Sequence, residues 1–253
     1  MKTTTTVFRY AFRFLAVAGL ACGLASATTI EATGVDWARG QSIWIQEDGV
    51  DKSAYFAGVI LITVTDGGQQ YSRDSLCVDL FTDININTVY DTTILHPYQV
   101  PGKNLPRVSW LVDNAMLPTQ EPTYVSALSS GYWVTTAAQG AGIQLAIWDI
   151  VHDGGDGFSA GRVQAVTNPS NPTDSNVLSW ANTYEALSAG NSSAFAFIYN
   201  NVNMGNGVPA QMLAGPRFAD GGPVPNPEPA TFLMAGAALI GLSRFARRRR
   251  AER

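Results

Sequence analysis

Near residue 100 the apolar pattern of this chain changes period, and that change restricts its fold more than any single motif. Upstream, residues 53–65 (SAYFAGVILITVT) are rich in β-branched and aromatic side chains, and Asp66-Gly67-Gly68 closes them with a turn signal. Residues 71–82 (YSRDSLCVDLFT) follow at hairpin distance, and a further strand is predicted within 86–95 (INTVYDTTIL). Downstream, helical spacing takes over. Helices are predicted over Leu105–Met116, Thr123–Leu128, Tyr132–Val151 and Ser175–Ala189, and a strand at Ala194–Tyr199 returns to the sheet. No internal repeat is present. The expected fold class is α+β: an antiparallel β-sheet or barrel with a helical insertion.

Both ends of the chain read as addresses. Lys2, Arg9 and Arg13 precede a short apolar stretch, residues 14–25, and Ala25-Ser26-Ala27 supplies the small residues of a signal-peptidase site. Residues 1–27 are therefore expected to be a signal helix cleaved after Ala27. Cys22 lies inside it, and Gly19-Leu20-Ala21 fits a lipobox poorly. At the other end, Pro227-Glu228-Pro229 leads into the apolar run 230–243 (ATFLMAGAALIGLS), followed by Arg244, Arg247, Arg248, Arg249 and Arg250. A helix of that length spans about 21 Å against the roughly 30 Å of a hydrocarbon core, so only a marginal span is expected. Such an Arg cluster stays cytoplasmic and leaves the body of the chain outside. Residues 223–253 resemble the PEP-CTERM sorting signal, with all three parts in order. That resemblance implies an exosortase-type sorting enzyme as partner and a Gram-negative host. It also implies transient anchoring in the inner membrane through the short C-terminal helix, then release to the cell surface or extracellular matrix.

Removing both ends leaves an exported body, residues 28–222, long enough for one domain with a sizeable core. It carries 18 acidic and 7 basic side chains, a net charge of −11 that the Arg-rich tail masks in the whole-chain value of −4. Nonspecific nucleic-acid binding, which needs cationic phosphate contacts, is not expected. No histidine/cysteine cluster has zinc spacing, and no metal or other cofactor is predicted. The body holds a single cysteine, Cys77. In an exported protein that implies an intermolecular disulfide, a free thiol or other chemistry.

Two residues stand out from their neighbours. Alternation along 71–82 puts Leu76, Val78 and Leu80 on one face and Arg73, Ser75, Cys77 and Asp79 on the other. Cys77 is thus expected to point away from the core, among polar groups. Residues 141–151 (AGIQLAIWDIV) form a helix apolar nearly all round, which predicts deep burial, yet Gln144 sits in its middle. A buried amide is unfavourable by a few kcal/mol unless paired, so Gln144 either bonds a loop carbonyl or does something else. A cysteine can attack a glutamine carboxamide and expel ammonia, giving an internal thioester, when the two are held in contact.

The ordered set Leu76-Cys77-Val78, Arg107–Asn114 (RVSWLVDN) and Ile143-Gln144-Leu145-Ala146-Ile147-Trp148 resembles the bacterial thioester domain of surface adhesins. Ile143 stands where many members carry Thr. The resemblance covers about residues 50–200 and implies a β-barrel joined to a helical part. It also implies a Cys77–Gln144 crosslink supported by Leu76, Val78, Ile147 and Trp148, and an amine-bearing surface or matrix partner bound covalently. Each molecule would react once, so no enzyme and no catalytic residue is predicted. A structural or matrix-binding module without the bond is the alternative.

Other signals are weaker. Gly157-Phe158-Ser159-Ala160-Gly161 matches a nucleophile elbow, but loop residues precede it and both histidines, His96 and His152, come before the serine. Asp149, His152, Asp153 and Asp156 lack EF-hand spacing and read as a solvated acidic loop, with calcium binding left open. The tryptophans are scattered, as core residues are.

Overall fold

Two tight turns set the first three strands. Asp48-Gly49 and Gly67-Gly68 both adopt left-handed backbone, with φ of 51° and 81° and of 57° and 81°. Two-residue loops of that kind match the twist of a hairpin. They join β1 (Thr29–Glu47) to β2 (Val50–Asp66), and β2 to β3 (Gln69–Cys77). This computed structural model describes residues 28–116, 125–168, 170, 172–204 and 206–216. Four further strands complete the sheet: β4 (Val89–Leu95), β5 (Val163–Ala165), β6 (Phe197–Asn203) and β7 (Leu213–Gly215). All pairings are antiparallel.

The order β2-β3-β7-β6-β4-β1 closes on itself because β1 also pairs with β2. The sheet is therefore a six-stranded barrel, with β5 added at the far end of β1. Closure needs a long strand that bends. β1 has 19 residues and carries register shifts, one between Val35 and Gly40. Its residues 29–31 pair with β2 and β4 together, and its residues 45–47 with β2 and β5.

The helical insertion lies between β4 and β6. It contains α1 (Leu105–Leu111), α2 (Ala137–His152), β5 and α3 (Ser175–Ser188). α1 continues as a wider π turn over Val112–Met116. A reciprocal capping box between Thr136 and Gln139 starts α2. Asp174 starts α3 by accepting from the backbone N–H groups of Asn176 and Val177.

α2 is pressed against the barrel. A Cβ at Gly140 would collide with the Arg39 carbonyl in the bend of β1, so only glycine fits there. Its side chains divide between two clusters. Ala141, Leu145 and Trp148 join one built on alternate residues of β1, β2, β4 and β6, including Ile30, Ile45, Ile62 and Tyr90. Ile143, Ala146, Ile147 and Ile150 join a second with α1 and the outer residues Val59, Leu76 and Val78. A helix with core on both sides has no polar stripe, and its all-round apolar sequence follows.

The α+β class and the antiparallel sheet with a helical insertion agree with the sequence. Several boundaries do not. The strand expected over 71–82 stops at Cys77. Residues 125–128 are irregular rather than helical, and the start of that predicted helix lies outside the described residues. The helix expected from Tyr132 becomes a short 3-10 turn, Ser130–Tyr132, and then α2, because the cap at Thr136 fixes the start. The last predicted strand shifts to Phe197–Asn203, since Asn201 is paired inside the sheet with Thr92 and the Gln211 carbonyl. The signal segment 1–27 and the sorting tail 223–253, with Pro227, Glu228, Pro229 and the Arg cluster, lie outside the described residues. No described helix is long and apolar enough to cross a membrane.

Candidate functional site

The site begins with an unfinished strand edge. At the end of β3, Leu76 and Cys77 pair with β7, and the N–H of Val78 donates to the Met212 carbonyl at 2.8 Å. On the other side, the pairing with β2 runs only from Asp66–Gln69 to Ile60–Ser75. Beyond it, β2 keeps its pairing with β1 on its other edge, Gly58 with Gly40, and has none with β3. Alternation turns the N–H and C=O of Cys77 toward that uncovered side.

Gln144 covers it. Its Oε1 accepts from the Cys77 N–H at 2.8 Å, and its Nε2 donates to the Cys77 carbonyl at 2.7 Å. The carboxamide stands in for a strand residue, which satisfies two backbone groups and itself at once. Both residues are buried, Gln144 fully and Cys77 to 4 % exposure. The expectation that Cys77 faces outward among polar groups is therefore corrected. Alternation implied one wet face, but β3 has core on both sides here, with Cys77 in one cluster and Leu76 and Val78 in the other.

Burial pushes the Cys77 thiol well above its ordinary pKa, and the charges of Asp79 and Asp83 push it further. The thiol is protonated at neutral pH. Beside it lies a cavity of about 250 Å³, lined by Cys77, Trp148, Leu80, Phe56, Asp83 and Gln211 among others. Small-molecule sites usually run to roughly 300–1,000 Å³, so this one suits a single side chain better than a cofactor. Trp148 shares it with Cys77, whereas Leu76, Val78 and Ile147 lie in the second cluster and back the site from behind.

Sequence reasoning missed Asp83 and Gln211. Gln211 donates to the Asp79 carbonyl at 2.8 Å and accepts at its own carbonyl from Asn201, so it is placed by the sheet rather than by a motif. His152 also borders this region. The Leu80 N–H donates to its Nε2 at 3.3 Å, and burial lowers its pKa. It is occupied as a neutral acceptor.

The remaining sequence candidates fall elsewhere. Ser159 is exposed in a turn between α2 and β5, with no strand before it and no helix after it. Asp149, Asp153 and Asp156 come together, their carboxylates within 4.8 Å of one another, without His152. Trp148 is buried and Trp110 and Trp180 pack the second cluster, but Trp37 is 63 % exposed, edge-on to Phe56 at the cavity wall.

No protein-family model and no curated protein sequence matches the chain. Solved structures similar to it include the N-terminal thioester domain of a surface protein from Clostridium perfringens, at 13 % identity and a TM-score of 0.37, over 63 % of this chain and 89 % of that one. Another is the N-terminal domain of the Streptococcus pyogenes pilus tip adhesin Cpa, at 9 % identity and a TM-score of 0.36, over 77 % of this chain and 100 % of that one. Similarity at this level says nothing of the chemistry at Cys77.

Proposed function

We propose that residues 28–222 form an exported surface module that binds an amine-bearing partner covalently through a Cys77–Gln144 thioester. The observation that supports this reading is the buried Gln144 carboxamide held on the Cys77 backbone by two hydrogen bonds, with a cavity lined by Cys77 beside it. Enforced contact of this kind replaces the entropy of a bimolecular encounter.

The chemistry balances without a cofactor. The Cys77 sulfur adds to Gln144 Cδ, the C–N bond breaks, and the thiol proton leaves with ammonia. A partner amine then attacks the same carbon. The C–S bond breaks, an amide forms, and the amine proton passes to the sulfur. Charge developing on Oε1 in either step meets the Cys77 N–H, already 2.8 Å away. Nothing is regenerated, so the reaction is single-turnover adhesion rather than enzymatic catalysis. Sorting by an exosortase-type enzyme, after transient inner-membrane anchoring, would deliver the module to the surface or matrix.

A structural module without the bond is the second reading. It is favoured by one observation: both hydrogen bonds of Gln144 go to backbone atoms of Cys77 and fully account for the buried amide.

Intact mass separates the two. Fresh native protein is expected about 17 Da below its sequence mass, the loss of one ammonia, and methylamine should add its own mass of about 31 Da at Gln144. Cys77→Ala and Gln144→Ala should each abolish the deficit, and Ser159→Ala should leave it intact. Full sequence mass with unmodified Gln144 would overturn the covalent reading. Terminal peptide mapping of protein from its own host tests the sorting reading. The mature form should begin near Thr28 and lack Arg244–Arg253; an intact tail on the surface form would refute it.

A further inference from the structure

The far end of α2 gathers carboxylates of a different kind. Asp149 sits on the last turns of α2, Asp153 caps the helix, and Asp156 lies in the following loop. One oxygen from each lies within 4.8 Å of the others. A separate element places a fourth carboxyl beside Asp149, outside that group of three. α3 brings in Glu185, only 7 % exposed, whose Oε1 has no hydrogen-bond partner and whose carboxyl stands within hydrogen-bond reach of Asp149. Asp149 is fully buried. Its Oδ2 accepts from the Gly157 N–H at 3.2 Å, and its Oδ1 has no partner.

The surroundings hold these groups in place without neutralising them. Asp153 accepts from the N–H groups of Arg162 and Val163, which folds the loop back over α2. Arg107 is close, but its guanidinium donates to Ser188 Oγ and to the carbonyls of Gly154 and Glu185. Two buried carboxylates with orphaned oxygens need either a shared proton or a cation between them. The oxygen-only donor set selects a hard ion, and four carboxylates from two helices and a loop suit the irregular, high coordination of calcium better than the strict octahedron of magnesium.

We infer that Asp149, Asp153, Asp156 and Glu185 form a calcium site that ties the end of α2 to α3. The ion replaces a proton between Asp149 and Glu185 and draws in Asp153 and Asp156 from the loop. The site is distinct from the Cys77 cavity and does not depend on the thioester.

The test is calcium titration of the full-length chain after chelator treatment, by calorimetry and by thermal unfolding. One ion per chain is expected, with a Kd in the range of about 10⁻⁴–10⁻³ M typical of extracellular sites, or tighter, and Tm should rise with calcium. Magnesium should bind at least about tenfold more weakly. Glu185→Gln keeps the size of the side chain and a hydrogen bond to Asp149, so it should fold, yet it should lose at least about tenfold in calcium affinity. Asp156→Asn, at an exposed position, should weaken binding without unfolding the protein. Absence of heat and of any Tm shift up to about 10 mM calcium would overturn the proposal and leave a proton-sharing pair. Wild-type affinity in both variants would overturn it equally.

Discussion

Gln144 and Asp149 stand about one and a half turns apart on α2, both with no exposed surface, and the fold treats them in opposite ways. Gln144 has each half of its amide paired with a single backbone residue, Cys77. Asp149 accepts one bond from Gly157, keeps Oδ1 unpartnered and faces a second carboxyl, Glu185. A neutral amide carries donor and acceptor in one plane, so one strand edge satisfies it. A carboxylate carries acceptors only and a charge, so it needs a proton or a cation brought from outside. Burial alone therefore does not tell which polar residue stabilises the fold and which is strained by it.

The largest effect should come from removing the satisfied partner. In a Cys77→Ala background, where no crosslink can form, Gln144→Ala strands a buried N–H and a buried C=O. Each is worth about 1–3 kcal/mol, so denaturant unfolding should show a loss of about 2–6 kcal/mol. A loss below about 1 kcal/mol would mean that the amide does not hold α2 to β3. Next comes Gly140→Ala, which forces α2 away from the Arg39 carbonyl and so lengthens the contact between Gln144 and Cys77. A destabilisation of about 1–3 kcal/mol is expected, together with slower methylamine uptake, and unchanged stability would show that the helix can slide without consequence. The smallest change, and the one with the opposite sign, is Asp149→Asn in calcium-free buffer. It removes a buried charge whose Oδ1 has no partner and keeps an acceptor for the Gly157 N–H, so stability should hold or rise by about 1 kcal/mol. A loss as large as that at Gln144 would erase the contrast between the two positions.

The same contrast shows how much the sequence discloses. The apolar run of α2 with Gln144 inside it announced a buried amide, and the fold shows that amide bonded to the backbone of Cys77. The role of Asp149 was not legible in the same way. Its neighbours 153 and 156 suggested a wet loop, and its decisive partner, Glu185, lies on α3, 36 positions further along the chain. Cys77 was misplaced for a related reason. Period two reports which side chains share a face, but not whether the second face is covered, and here the barrel interior and α2 cover it.

What the sequence determined by itself is local: strand and helix periods, the Gly-Gly turn after Asp66, and the acidic balance of residues 28–222. These rest on backbone preferences and on side chains a few residues apart, which propensity and spacing encode directly. Only the tertiary structure decided that β1 bends to close the barrel, that β2 leaves the end of β3 uncovered, and that Gln144 fills the gap across 67 residues of sequence. The physical reason is hydrogen-bond satisfaction at long range. A backbone N–H and C=O are present in every strand, and nothing in the local sequence marks the one place where the neighbouring strand runs out and a side chain must take over.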